Sequence, residues 1–385
     1  MRFSGFDDEW KKSNLGNISS NEMYGMNSAA KDYDGFNKYI RITDISETSN
    51  KFIPNPLTSP DGDLEDKYKL KKGDIVFART GASTGKTYLY DDNDRNLYFA
   101  GFLIKFHIDN ADPKFIFYNT LKEEYLNWVS VMSVRSGQPG INSNEYKKLP
   151  IILPSLDEQN KISNFLTSID KKIDLLKRKH QFYQEFKKFL MQQIFTQKLR
   201  FNFNDAWKTV KIKDIFDERS EKGFLDLELL SVTLNDGVIK RSEIESKDNS
   251  NENKSNYKHV LPGDIVYNSM RMWQGASGVS PYEGIVSPAY TILIPKNVYS
   301  KYFGYYFKTN EMVYQFKKYS QGLTSDTWNL KYPLISEIKI KIPSIEEQKE
   351  ITNVFEIMDE KIKILQNNID ELTTFKKGLL QQMFV

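Results

Sequence analysis

The chain has 385 residues, 39% hydrophobic and 14% aromatic, with a formal net charge of +3. This length and apolar content predict at least two folded domains, and the near-neutral balance excludes a uniformly basic nucleic-acid binder. Cysteine is absent, which excludes disulfides and thiolate chemistry, and the three histidines, His107, His180 and His259, have no ligand-like spacing, which argues against a zinc site or a histidine-based triad.

No apolar run is long enough to span a bilayer, and no basic stretch followed by an apolar one opens the chain. The expectation is a cytoplasmic protein with no membrane partner. The first globular part is rich in β-branched and aromatic runs: YIRITDI at 39–45, GDIVFAR at 73–79 and LYFAGFLIKFHI at 97–108 are predicted strands. PKFIFYNTLKEEYLNWV at 113–129 is predicted as one amphipathic helix. The stretch 58–67, rich in Gly, Asp and Pro, is expected to be a mobile surface loop. Its Asp61 and Glu65 are too close in sequence for a restriction-type nuclease site, whose carboxylates converge from separate strands.

ARTGASTGKTY at 78–88 imitates a nucleotide loop. A Walker A loop needs four residues between its two glycines, and only Ala82, Ser83 and Thr84 separate Gly81 from Gly85. A polar, Lys-bearing loop following a strand suits phosphates and base edges better.

From 157 the pattern changes. Positions 162, 166, 169, 173, 176, 180, 183, 187, 190 and 194 hold apolar or aromatic residues at eight of ten places, stepping alternately by four and three. That is a coiled-coil period over 39 residues from Asp157 to Phe195, roughly 58 Å of helix. Ser155 and Glu158 form a predicted capping box at its start.

A second globular part follows, with predicted strands DIVYNSM at 264–270 and AYTILIP at 289–295 and a predicted helix at 299–319. The Asn- and Ser-rich stretch 246–256 is expected to be a mobile loop. The chain ends on a second long helical stretch, which opens with the capping box Ser344 and Glu347.

The two halves repeat. Segment 149–195 aligns without gaps on a segment 189 residues later, with 18 identities over 47 positions. Weaker echoes join GDIVFAR to GDIVYNS, and FDDEW at 6–10 to FNDAW at 203–207. The fold expected is α+β: two β-rich heads and two long helices forming an antiparallel coiled coil, with an internal pseudo-two-fold. Residues 156–200 carry ten basic and five acidic residues, and 345–385 five and eight, so the helices are complementary in charge. The expected seam residues are Ile162, Leu166, Ile169, Ile173 and Leu176 on the first helix, and Ile351, Phe355, Met358, Ile362 and Leu365 on the second. Phe165, Phe182, Phe186 and Phe189 lie outside the seam and suggest a covering partner.

Two related heads suit a two-part duplex DNA site, one head per half. The candidate contacts are polar and cationic residues on loops after strands. In the first head they are Arg79, Thr80, Ser83, Lys86 and Thr87, with Arg135, Gln138, Asn142 and Asn144 on a second loop. In the second head they are Asn268, Arg271, Trp273 and Gln274, with Gln321, Ser325 and Thr327. Arginine suits guanine, and amide side chains suit adenine. No catalytic or metal-ligating constellation is visible. The alternative is a coiled-coil scaffold whose heads bind proteins or glycans, and an enzyme with an unrecognised site ranks below both.

The repeats PSLDEQ…FKKFLMQQIF and PSIEEQ…FKKGLLQQMF, with GDIVFARTGASTGKTYLY and GDIVYNSM, resemble the specificity subunit of type I restriction-modification enzymes over essentially the whole chain. The resemblance implies target recognition domains at 1–153 and 201–342, and conserved helical regions at 154–200 and 343–385. It implies a subunit without its own catalytic site that reads a split sequence, with the helices setting the spacer. Two modification subunits would bring S-adenosylmethionine and methylate adenine at N6, and restriction subunits, where present, would bring ATP and Mg2+ chemistry. The second head departs from the first at SMRMWQGASG, so contacts of one loop do not transfer to the other.

Overall fold

The computed structural model describes the chain except residues 135–136, 235, 246–249, 251–252, 325–326 and 385. The chain divides into two compact units, one of Met1–Lys177 with Asn367–Val385 and one of Arg178–Gln366. The division falls inside both long helices, so each unit contains a piece of each helix and a head.

In the first unit, an antiparallel sheet has its strands in the order Ser19–Tyr24, Leu103–Ile108, Asp74–Ala78 and Thr87–Leu89. Side chains alternate across it. Ile75 and Phe77 face one core, with Phe115 and Ile116 of the helix Pro113–Asn119. Val76 and Ala78 face a smaller core with Ile40, Leu97 and Phe99. The second unit repeats this order with Phe216–Glu218, Tyr290–Pro295, Ile265–Asn268 and Ser277–Val279. Ile265 and Tyr267 face its larger core, and Val266 its smaller one.

The central helix spans Leu156–Phe195 and the C-terminal helix Ile345–Gln382. In the first unit Asp170 of the central helix pairs with Lys376 at 2.6 Å, while in the second Lys187 pairs with Asp359. Within the second unit Lys361 stands over Tyr183 and Phe195 stacks on Phe355, so numbering rises on one helix as it falls on the other and these pieces run antiparallel. Each aspartate also accepts a 2.8 Å hydrogen bond from a head tyrosine, Tyr118 to Asp170 and Tyr305 to Asp359.

The seam has a double role. Ile162, Leu166, Ile169 and Ile173 join the first head's core, together with Leu379 and Leu380 of the C-terminal helix and Met383 and Phe384 just beyond it. Ile351 and Phe355 join the second head's core with Ile194 and Phe195. Met358 and Leu365 are buried, while Leu176 and Ile362 are half-buried. The start of each helix is thus the floor of a head as well as half of a helix pair.

The capping boxes form only in part. Ser155 Oγ accepts from Glu158 N at 3.4 Å and Ser344 Oγ from Glu347 N at 3.3 Å, but the glutamate carboxylates turn to Arg2 and Arg200. The glutamines that follow do similar work in both units. Gln159 joins Pro154 O to Asp112 N, and Gln348 joins Pro343 O to Tyr299 N, so helix start and head are tied together.

Five local expectations are corrected. The single helices expected at 113–129 and 299–319 are each two: Pro113–Asn119 with Glu123–Met132, and Ser300–Tyr306 with Asn310–Tyr319. Thr120 and its repeat Thr309 bond their hydroxyls to carbonyls three residues back, at 2.7 and 2.8 Å, and end the first helix. The run at 97–108 is two strands, Leu97–Phe99 and Leu103–Ile108, parted by a turn, and 39–45 is strand only to Ile40, then a 3-10 turn. Within 58–67, Thr58–Pro60 is a buried strand paired with Ala30–Asp32. The loop expected at 246–256 lies largely outside the described residues.

Candidate nucleic-acid interface

The first head brings its two candidate loops together. Arg79 follows the strand Asp74–Ala78, and its carbonyl accepts from Ile141 N at 2.9 Å. Gly81 N donates to Pro139 O at 2.9 Å, so the loops run side by side. Two buried tyrosines fix them from beneath, Tyr146 donating to Ala78 O at 2.7 Å and Tyr125 to Gly85 O at 2.6 Å. Burial pushes both phenols above their ordinary range, so both remain donors.

The Walker-like glycines have a packing reason. Gly85 has φ +90°, and a Cβ there would lie 2.5 Å from Val129 Cγ1. Gly81 has φ +74° and lies against the Gln138 amide. The Lys and Thr of the loop turn inward. Lys86 Nζ pairs with Glu47 and donates to Ile45 O at 3.3 Å. Thr87 is 0% exposed, its hydroxyl 2.7 Å from that of Thr120. Both were expected to face DNA, but strand pairing from Thr87 to Phe77 turns Thr87 toward the helices, and Glu47 already neutralises Lys86.

The outward residues of this head are Arg79, Thr80 and Ser83, half-buried, and Gln138, Asn142 and Asn144, exposed. Asn142 is partly committed, since its Oδ1 caps the short helix Ser143–Tyr146 by accepting from Glu145 N at 3.0 Å. Arg135 lies outside the described residues.

The second head builds the same pair of loops from different residues. Leu330 N donates to Ser269 O at 2.9 Å, the counterpart of Ile141 on Arg79. Asn268 ends its strand half-buried, with Oδ1 accepting from Met270 N at 3.0 Å. The short 3-10 helix Met272–Gln274 leaves Arg271 and Gln274 exposed. Half-buried Trp273 meets Trp328 edge to face at 5.3 Å, and the Lys317 ammonium lies 5.4 Å from the Trp328 ring centre. Gln321 and Thr327 are exposed, although the Thr327 hydroxyl is held on Thr324 O at 2.9 Å. Ser325 lies outside the described residues. A cleft of about 260 Å³ at the base of these loops is lined by Ser269, Met270, Asn329, Lys258 and Lys331.

Among the described residues, no three His, Cys, Asp or Glu side chains group to hold a metal ion, and no helix is long and apolar enough to cross a membrane.

The model of the type I restriction modification DNA specificity domain matches the chain twice, over residues 7–181 and 204–374. The chain belongs to the type I restriction-modification specificity family. One relative, the MjaVIII specificity subunit of Methanocaldococcus jannaschii, is 23% identical over 346 residues, covering 81% of this chain and 78% of its own. The HindI specificity subunit of Haemophilus influenzae is 26% identical over 193 residues, covering 49% of this chain and 41% of its own. The fold matches the type I system S subunit from M. genitalium with a TM-score of 0.60 at 15% identity, covering 100% of this chain and 97% of that one. It also matches the HsdS subunit from Thermoanaerobacter tengcongensis, with a TM-score of 0.53 at 16% identity and coverage of 98% and 97%.

Within this specificity subunit, the expected residues have neighbours that the sequence does not point to. Tyr24 and Phe102 flank Arg79, their ring centres 5.1 and 5.8 Å from the guanidinium carbon. Trp328 flanks Trp273, and Lys317 stands over the Trp328 ring. Nothing in the spacing of Tyr24 or Phe102 links them to Arg79, because strand pairing alone joins these segments. Trp328 stands inside the polar loop 320–329, where a tryptophan is unusual enough to be a signal.

Proposed function

We propose that this chain is the sequence-reading, non-catalytic subunit of a cytoplasmic type I restriction-modification complex. Each head reads one half of a split duplex site, and the paired helices set the undefined spacer. The target recognition domains are residues 1–153 and 201–342, and the helical regions 154–200 and 343–385. Two modification subunits dock on the helices and bring S-adenosylmethionine. Restriction subunits, where present, bring ATP and Mg2+ chemistry.

One observation carries the reading. Two sheets with the same strand order present the same pair of loops, yet the outward residues differ: Arg79, Ser83 and Gln138 in one head, Asn268, Arg271 and Gln274 in the other. A shared scaffold with different edge groups is what reading two unlike half-sites requires. Docking partners are supported by large apolar side chains left outside the seam, with Phe182 60% and Phe189 53% exposed.

The test is a genome-wide map of N6-methyladenine after co-expression with the adjacent modification subunit. A new motif of two short defined parts around a fixed gap is expected. An assembled complex that adds no motif refutes the reading.

A further inference from the structure

We propose that Arg79 reads a guanine in the first head's half-site, and that Tyr24 and Phe102 are the positioning residues that set its plane. This rests on the reading of the first head as a DNA-recognition domain. Arg79 Nε donates to Gly101 O at 2.9 Å, which fixes one edge of the guanidinium. The Tyr24 and Phe102 rings stand beside the same group. Tyr24 is in turn held from the second loop, since its hydroxyl accepts from Ser143 N at 3.2 Å. Among the described residues, no hydrogen bond donated by the two terminal nitrogens of Arg79 is seen, and these form the planar fork that matches O6 and N7 of guanine.

The backbone is shaped to bring these groups together. Gly101 N donates to Met26 O at 2.7 Å, and Gly25 N donates to Leu103 O at 3.1 Å. A Cβ at Gly25 would lie 2.3 Å from Ala100 O, so only glycine permits this approach. Tyr24 and Phe102 are the outer neighbours of these two glycines, and Arg79 N is tied to Phe102 O at 3.0 Å.

The choice of guanine over phosphate follows from what is fixed. A phosphate accepts a cation from many directions, and a mobile lysine serves as well. A guanidinium held at Nε beside two rings has lost that freedom. It matches a planar, bidentate acceptor on a base edge. Both rings remain partly open, Tyr24 at 40% and Phe102 at 55% exposed, so they are available to exclude water when a base pair arrives.

The second head lacks this device. The repeat places Ser269 where the first head has Arg79, so the effect is confined to one half-site.

The experiment uses the chain assembled with its modification subunits, and duplexes carrying the wild-type motif with each base pair replaced in turn. Arg79→Lys, which keeps the charge but not the fork, is expected to lose about 5- to 150-fold of discrimination at a single G·C pair, the equivalent of one bidentate contact. Tyr24→Leu and Phe102→Leu are expected to weaken discrimination at that same pair and at no other. Tyr24→Phe, which keeps the ring, is expected to lose less than Tyr24→Leu.

Equal weakening on all duplexes, or full rescue by lysine, overturns the proposal and makes Arg79 a phosphate contact. Unchanged discrimination in Arg79→Lys, or a half-site without G·C, also overturns it. A wild-type complex with no sequence preference refutes the parent reading instead, and is recognised before any variant is made.

Discussion

Arg200 grips Glu347 through two parallel hydrogen bonds, Nε to Oε1 at 3.1 Å and Nη2 to Oε2 at 2.7 Å, as Arg2 grips Glu158 in the other repeat. Both carboxylates are 1% exposed, and Trp207 Nε1 adds a bond to Glu347 at 3.2 Å. The Pro-Ser-x-x-Glu-Gln motif is thus a docking device. Ser starts the helix, Glu takes the arginine of the segment leading into the head, and Gln takes the head's own backbone. Removing one partner of such a pair leaves a buried charge, while removing both does not. Arg200→Leu is therefore expected to lower the unfolding midpoint in urea, and Arg200→Leu with Glu347→Leu to recover most of the loss. Equal midpoints for the single and double variants would show that the pair is uncoupled.

The Gly-Lys-Thr loop is a structural turn, not a nucleotide cradle. Gly85→Ala must accept φ +90° and a contact of 2.5 Å with Val129. A destabilisation of about 2 kcal/mol or more is expected from left-handed strain plus overpacking. Mg-ATP is expected to leave the melting temperature of the chain unchanged, because Lys86 and Thr87 face inward. Stabilisation by ATP that disappears in Lys86→Ala would contradict this.

Lys187 with Asp359 and Lys376 with Asp170 realise the charge complementarity of the two helices. The groups are partly solvated, so each pair is expected to contribute about 1 kcal/mol or less. Lys187→Asp is expected to destabilise, and Lys187→Asp with Asp359→Lys to restore part of the loss. A double-mutant cycle in denaturant reads the coupling directly, and the coupling is expected to shrink with added salt.

Lys211 and Lys213 each donate a 2.6 Å hydrogen bond to Glu337, and together they hold its carboxyl at about 2, against an ordinary 4.5. The folded value lies below the unfolded one, so this contribution is present above pH 4.5 and is lost as pH falls toward 2. The site is open to solvent, so the effect is small and screened by salt. The stability gap between the wild type and Glu337→Gln is expected at neutral pH and to close in acid. A gap that persists well below pH 2 would assign it to something other than the carboxylate's charge.

Local periodicity made the helices legible, and internal repetition made the two heads legible. The offset of 189 residues places Thr120 on Thr309, Asp170 on Asp359 and Glu158 on Glu347, and each pair does the same work. What was not legible depends on partners far apart in sequence. Glu158 reads as a capping residue until Arg2, 156 positions away, is seen beside it. Thr87 reads as a loop hydroxyl until strand pairing turns it onto Thr120. Tyr24 and Phe102 carry no sign of Arg79 because only the sheet brings them near. The helix breaks at Thr120 and Thr309 were missed because the apolar pattern continues across them, while a hydroxyl bond to the preceding turn ends the helix.

The spacer prediction depends on lengthening both helices in step. The Lys187–Asp359 pair fixes the register in the second unit, placing Phe182 level with Ile364. Seven residues inserted beside Phe182 and seven beside Ile364 preserve the coiled-coil phase and add about 10 Å of helix. At about 3.4 Å per base pair, the undefined gap of the methylated motif is expected to lengthen by about three base pairs. Both defined halves are expected to stay the same, since neither head is touched. Insertion into the central helix alone breaks the register with the C-terminal helix, and is expected to reduce methylation without defining a new gap. A paired insertion that leaves the gap unchanged while methylation persists would show that something other than these helices sets the spacer.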